Sequence, residues 1–128
     1  MKPARVLVVD DNPTNLKLAS DVLDCAGFEV WKAADAEEAL AVIQRTKPDL
    51  ILMDIALPGM DGLTLTRRLK ADASTRDIRI VALTAFAMKG DDEKAFAAGC
   101  DGYIPKPIDT RKLPAQIADL LQRSSPPS

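Results

Sequence analysis

The chain has no histidine. That removes Ser-His-Asp and Cys-His nucleophilic catalysis and most transition-metal sites. It has two cysteines, Cys25 and Cys100, with no CxxC spacing. They are expected to be free, buried, small hydrophobic side chains in a reducing, cytoplasmic compartment. No apolar run approaches the roughly 20 residues a helix needs to span a bilayer, so no membrane insertion is expected. The opening stretch MKPARVLVVDDN reaches acidic residues too early for a secretory apolar segment. Basic excess is missing as well. Seventeen Lys and Arg face nineteen Asp and Glu, a net charge of -2 that argues against direct nucleic-acid binding. DDNPTN, after the first apolar run, lacks the GxGxxG pattern of a dinucleotide loop and carries negative charge where phosphate would sit. What remains is oxygen chemistry: carboxylates, hydroxyls and lysine, with hard cations such as Mg2+.

The 128 residues suffice for one domain with a core, and 47% apolar and 28% charged residues mark a globular chain. RVLVV at 5–9 is a short apolar run suited to a strand covered on both faces. In the following NPTNLKLASDVLDCAG, Asn12 is a cap, Pro13 a first helical residue and Gly27 a stop. Leu16, Ala19, Leu23 and Ala26 form its expected buried face. FEVWKA at 28–33 alternates as a second strand, with Phe28 and Trp31 as packing residues. DAEEALAVIQRTK is a helix with Asp35 and Glu38 in a capping-box pattern. PDLILMD is a third strand with Met53 in the core, and DGLTLTRRLKAD a third helix. IRIVALTA is a fourth strand, MKGDDEKAFAAGC a short helix stopped at Gly99, and GYIPKP a fifth strand. DTRKLPAQIADLLQR closes as a helix capped by Asp109, but Pro114 inside it requires a late start or a bend. Residues 1–123 form the expected domain, with 124–128 a disordered tail or the start of a linker. Strand-helix repeats with right-handed crossovers give an α/β fold with helices on both faces of a parallel sheet.

In such sheets, sites form beyond the carboxyl ends of the strands. Those ends carry Asp10 and Asp11 on the first strand, Asp54 on the third, Thr84 on the fourth and Lys106 near the fifth. Singly, each has an ordinary reading: a turn residue, a capping hydroxyl, a solvated lysine. Asp54 resists it most, because the apolar run LILM leads directly into it. Three carboxylates at one edge repel and call for a compensating cation. Mg2+ favours one or two carboxylates, waters and phosphate oxygens. Aspartate is a nucleophile in phosphoryl transfer, and lysine and threonine can neutralise and bond phosphoryl oxygens. A phosphatase or acyl-phosphate hydrolase, and a binding module that takes no phosphate, are the alternatives at this point.

The DD pair at Asp10 and Asp11, LMDIALPGMDG around Asp54, LTA at 83–85 and KP at 106–107 together resemble bacterial response regulator receiver domains from about Arg5 to Gln122. The resemblance implies the flavodoxin-like (βα)5 fold with strand order 2-1-3-4-5, an order long known for this class and not read from the pattern. It implies that Asp54 is phosphorylated by a histidine kinase or histidine phosphotransfer protein. Asp10, Asp11, Asp54 and the carbonyl of Ala56 would hold Mg2+, Asp10 mainly through water. Thr84 and Tyr103 would form a switch, and Lys106, before a commonly cis Pro107, would bond the phosphoryl group. Self-phosphorylation and self-dephosphorylation, without turnover of another substrate, are implied too. The output face of helix 4, strand 5 and helix 5 would carry Phe86, Lys89, Asp91, Lys94, Asp101 and Lys112 toward a downstream protein partner. TAFAMKGDDEKAFAAGCDGYIPKPID is similar to the single-domain cell-cycle, or division-control, response regulators of alphaproteobacteria. A switch without an output domain is the leading expectation; a receiver cut from a hybrid histidine kinase or a longer regulator is the alternative.

Two positions depart from the common pattern. Ala56 and Phe86 stand two residues beyond Asp54 and Thr84, where many members carry polar groups that touch the attacking water. Neither side chain can hydrogen-bond, so slow loss of the phosphoryl group is expected.

Overall fold

Runs of Val, Leu and Ile too short for a buried helix become the sheet of a computed structural model, which describes residues 4–55, 62–84, 91–105 and 108–122. The order is β1 (Arg5–Val9), α1 (Pro13–Cys25), β2 (Glu29–Ala33), α2 (Ala36–Thr46), β3 (Leu50–Asp54), α3 (Gly62–Ala71), β4 (Arg79–Thr84), α4 (Asp91–Ala98), β5 (Gly102–Pro105) and α5 (Leu113–Gln122). All pairings are parallel, in the order β2-β1-β3-β4-β5. The expected flavodoxin-like (βα)5 architecture and strand order are therefore present.

Period-two alternation divides the core between the two faces. Leu7, Val9, Ile51, Met53, Ile80 and Ala82 pack with α2 and α3 through Ala39, Val42, Ile43, Leu65 and Leu69. Val6, Val8, Leu50, Leu52, Val81 and Leu83 pack with α1 and α5 through Ala19, Leu23, Leu113 and Ile117. The chain turns from β1 outward to β2, then returns past β1 to β3. Right-handed crossovers thus put α1 and α2 on opposite faces and leave a crevice at the carboxyl ends of β1 and β3.

Caps explain the helix bounds. Asn12 accepts from the N–H groups of Thr14 and Asn15, and Pro13 opens α1. Gly27 follows its last turn at φ 98°, a conformation costly for any residue with a Cβ. Asp35 accepts from Glu38 N, while Glu38 reaches back one residue further than expected, to Ala34 N. At α5 the late start is the outcome. Asp109 caps a separate turn over 109–112, accepting from Arg111 N, and the helix begins at Leu113 with Pro114 in its first turn. There the missing N–H costs nothing.

Two further expectations are corrected. Ala26 is exposed, because α1 has already ended when the chain reaches it. Both cysteines are free, but Cys25 is exposed at the last turn of α1 and only Cys100 is buried. Burial pushes the Cys100 thiol up from its ordinary value. Met53 is buried in the core as expected, and Trp31 and Phe28 are partly buried, packed against its two sides, Phe28 just ahead of β2.

At the far end of the sheet, Lys70 of α3 binds three acceptors: Arg76 O at 3.2 Å, Ile78 O at 2.8 Å and Asp101 Oδ2 at 2.9 Å. The same Asp101 oxygen accepts from Ile80 N at 2.8 Å. Asp101, expected on the output face toward a partner, is thus committed to tying α3 to the start of β5. Lys70→Met keeps the stem and removes the ammonium. We expect it to lower stability by about 1–3 kcal/mol, read as a lower urea midpoint at unchanged slope. An unchanged midpoint would show that the clamp carries no net energy.

Candidate functional site

The site is built at the carboxyl edge from β1 and β3. β1 ends because Asp10 replaces the apolar run, yet its N–H still bonds Ala33 O of β2 at 3.1 Å, so the sheet fixes its backbone. The second strand, from which no site residue was expected, contributes this carbonyl. Asp10 Oδ1 accepts from Asn12 N at 2.9 Å, and the Asn12 side chain caps α1. The helix entry and the Asp10 carboxylate are therefore held by one residue. Asp54 closes β3 opposite Leu83, and the next N–H, from Ile55, bonds Leu83 O at 3.1 Å. The four apolar residues before Asp54 are wholly buried, which fixes where it emerges.

Carboxylate oxygens of Asp10, Asp11 and Asp54 lie within 4.8 Å of one another. Asp10 is 1% exposed and Asp54 4%, while Asp11 is open to solvent. Two unit charges 4.8 Å apart repel by on the order of 3 kcal/mol at an effective dielectric constant near 20. The donor set is all oxygen and anionic, which fits a hard divalent cation and not a soft one. These three residues could hold it, with Asp11 on the solvent side.

The structure brings together three of the expected site residues. Thr84 ends β4, in register with Pro105, and its backbone directly follows Leu83, the partner of Asp54. Tyr103 lies on β5 opposite Ala82, partly buried against the α2–α3 side of the core. Ala56, the Pro58-Gly59 turn, Phe86, Lys89, Lys106 and Pro107 lie outside the described residues, as does the side chain of Thr84.

Sequence reading passed over Gly62, the first residue of α3. Its N–H bonds Ile55 O at 3.2 Å, so the helix starts against the end of β3. The available signal was a glycine at a helix start, where other residues are better helix formers.

The response regulator receiver domain family matches residues 6–118. The chain is 43% identical over 119 residues to the polar-differentiation response regulator DivK of Brucella anthropi, covering 93% of this chain and 97% of that one. A crystal structure of a putative response regulator from Chloroflexus aurantiacus superposes with a TM-score of 0.90 at 37% identity, over 95% of this chain and 100% of that one. The BeF3-activated DrrB receiver domain superposes with a TM-score of 0.85 at 26% identity, over 94% and 99%.

Proposed function

The chain belongs to the response regulator receiver family, close to the DivK-like regulators, and on that premise we propose that Asp54 accepts a phosphoryl group from a phosphohistidine of a histidine kinase or histidine phosphotransfer protein. The observation that carries this is the clustering of Asp10, Asp11 and Asp54 within 4.8 Å, with Asp54 delivered by a buried strand. In the transfer, an Asp54 carboxylate oxygen forms a bond to phosphorus as the phosphorus–nitrogen bond to the donor imidazole breaks. Asp10, Asp11 and Asp54 would hold Mg2+, with the Ala56 carbonyl as a further ligand. Bound there, Mg2+ would offset the repulsion among the carboxylates and the incoming phosphoryl oxygens.

The protein's own part is placement. Val6–Val9 and Leu50–Met53 fix the two strand ends, Asn12 N orients Asp10, and the low exposure of Asp54 limits access to one side. In the same reading Lys106 neutralises the phosphoryl oxygens and Thr84 donates a hydroxyl to them. Tyr103 responds, and the change is read on the α4–β5–α5 face by a protein partner through a population shift. That face has an exposed Phe96 and a hollow of about 440 Å³ lined by Tyr103, Gln116, Asp119 and Leu120, among others. The receiver unit is read over 1–123, with 124–128 as tail or linker; the matched span 6–118 lies inside it. Among the described residues no helix is long and apolar enough to cross a membrane. The two free thiols support a cytoplasmic location. Likeness to DivK supports a role in polar differentiation or cell-cycle control.

Acetyl phosphate tests the chemistry without a kinase. With Mg2+, intact mass should rise by one phosphoryl group, with peptide mapping to Asp54; with EDTA in place of Mg2+ it should not. A gain mapped to another residue, or an equal gain in EDTA, would refute the proposal.

A further inference from the structure

We infer that Gly62 is a positioning residue for the acceptor, the absence of a side chain there letting α3 seat the Asp54 carboxylate against Asp10 and Asp11; this rests on Asp54 being the acceptor. A Cβ placed on Gly62 would overlap the Asp54 carbonyl oxygen and stand 2.8 Å from Ile55 Cα and 3.0 Å from Met53 Cγ. Two of these three are backbone atoms, which cannot rotate away. Glycine's use at close backbone approaches is general. What is particular here is that the approached backbone belongs to the acceptor.

Neither partner in the overlap is free to give. On the strand side, Asp54 is in register with Leu83, Ile55 N bonds Leu83 O, and Met53 is wholly buried. On the helix side, Thr66 Oγ1 donates to Gly62 O at 2.8 Å, and the buried Cys100 Sγ lies 3.9 Å from Thr66 Oγ1. Leu65 and Leu69 are buried beneath α3, and Lys70 ties the helix to Asp101. Gly62, Thr66 and Lys70 recur every four residues, so one stripe of α3 is fastened along its length. A methyl group at 62 is therefore taken up where the chain emerges from the sheet, at Asp54 itself. Misplacement of a reacting group by about 1 Å can cost on the order of a hundredfold in rate.

The experiment compares Gly62→Ala with Gly27→Ala. Gly27 sits at φ 98°, and a methyl group added there would meet nothing within 4 Å, so alanine strains the backbone without touching the site. Both variants should melt below wild type. At a temperature where circular dichroism shows each fully folded, Gly62→Ala alone should take phosphoryl from acetyl phosphate about 10–100-fold more slowly. It alone should also bind Mg2+ about tenfold more weakly by titration calorimetry. Should Gly62→Ala be unfolded in buffer, the same measurements are made in trimethylamine N-oxide, which favours the folded state. Wild-type Mg2+ affinity and rate in folded Gly62→Ala overturn the inference. A wild-type protein that takes no phosphoryl group on Asp54 instead overturns the acceptor reading, and the Mg2+ titration still decides whether Gly62 sets the cluster.

Discussion

Asp54→Asn protein should gain no phosphoryl group from acetyl phosphate and Mg2+, a fall of at least about a thousandfold. The change keeps the size and shape of the side chain, so the strand end and its pairing with Leu83 are retained. It removes the nucleophile, since an amide oxygen does not form a stable bond to phosphorus. The same substitution should raise stability when divalent cations are chelated. Asp54 is 4% exposed and shares a 4.8 Å cluster with two other carboxylates. Removing one charge from that cluster relieves repulsion by about 1–2 kcal/mol after solvent screening by the open side at Asp11. The wild type should recover the difference as Mg2+ is added, because a ligand that binds only the folded state stabilises it by mass action. The variant, with one charge fewer, should respond less. Thermal melts in EDTA and in Mg2+, beside intact mass, read both effects. A variant that gains a phosphoryl group as readily as wild type would refute the acceptor role; one that melts below wild type in EDTA would refute the repulsion account.

Those two effects come from one feature, and that feature was legible in the sequence. Charge that interrupts an apolar strand is a local pattern, as RVLVVDD and LILMD show. The parallel sheet then places local patterns at one edge without further information. The helix caps at Asn12 and Asp35 were legible for the same reason, since a cap involves residues two or three apart. Pro114 narrowed the start of α5 to two choices, and packing of Leu113 in the core selected the late one. What sequence did not show is contact across elements. Lys70 and Asp101 are 31 positions apart and look like two surface charges until the α3–β4 and α4–β5 turns meet. Gly62 looked like a helix start of no consequence until α3 was laid against the backbone of Asp54 and Ile55. Ala26 followed the helical repeat in sequence, but the helix ended at Cys25, and the repeat no longer predicted burial; Cys25 was expected inside from its residue type alone, and it lies on the exposed side of the last turn.

The phosphorylated protein should be long-lived. Loss of an aspartyl phosphate by hydrolysis needs a water held in line with the phosphorus–oxygen bond. Polar side chains beside the site can orient that water and take part in moving its proton, a contribution that general acid–base groups make at about 10²–10⁴-fold. The positions two beyond Asp54 and two beyond Thr84 are Ala56 and Phe86. Neither has a donor or acceptor on its side chain. The proposed ligation by the backbone carbonyl of residue 56 would be unaffected, since a carbonyl needs no side chain. On this proposal capture of the phosphoryl group and its loss are separated: the cluster of Asp10, Asp11 and Asp54 would serve the first, while the second would lack polar side chains at 56 and 86. After removal of acetyl phosphate by desalting into Mg2+ buffer, the half-life by intact mass should run from many minutes to hours. Ala56→Asn should shorten it by about tenfold, a modest share of what a positioned polar group can supply. Phosphorylation of that variant should proceed at the wild-type rate, because the Asp10, Asp11 and Asp54 carboxylates are unchanged by the substitution. A wild-type half-life of seconds would show that another group orients the water, and an unchanged half-life in Ala56→Asn would show that residue 56 does not reach it.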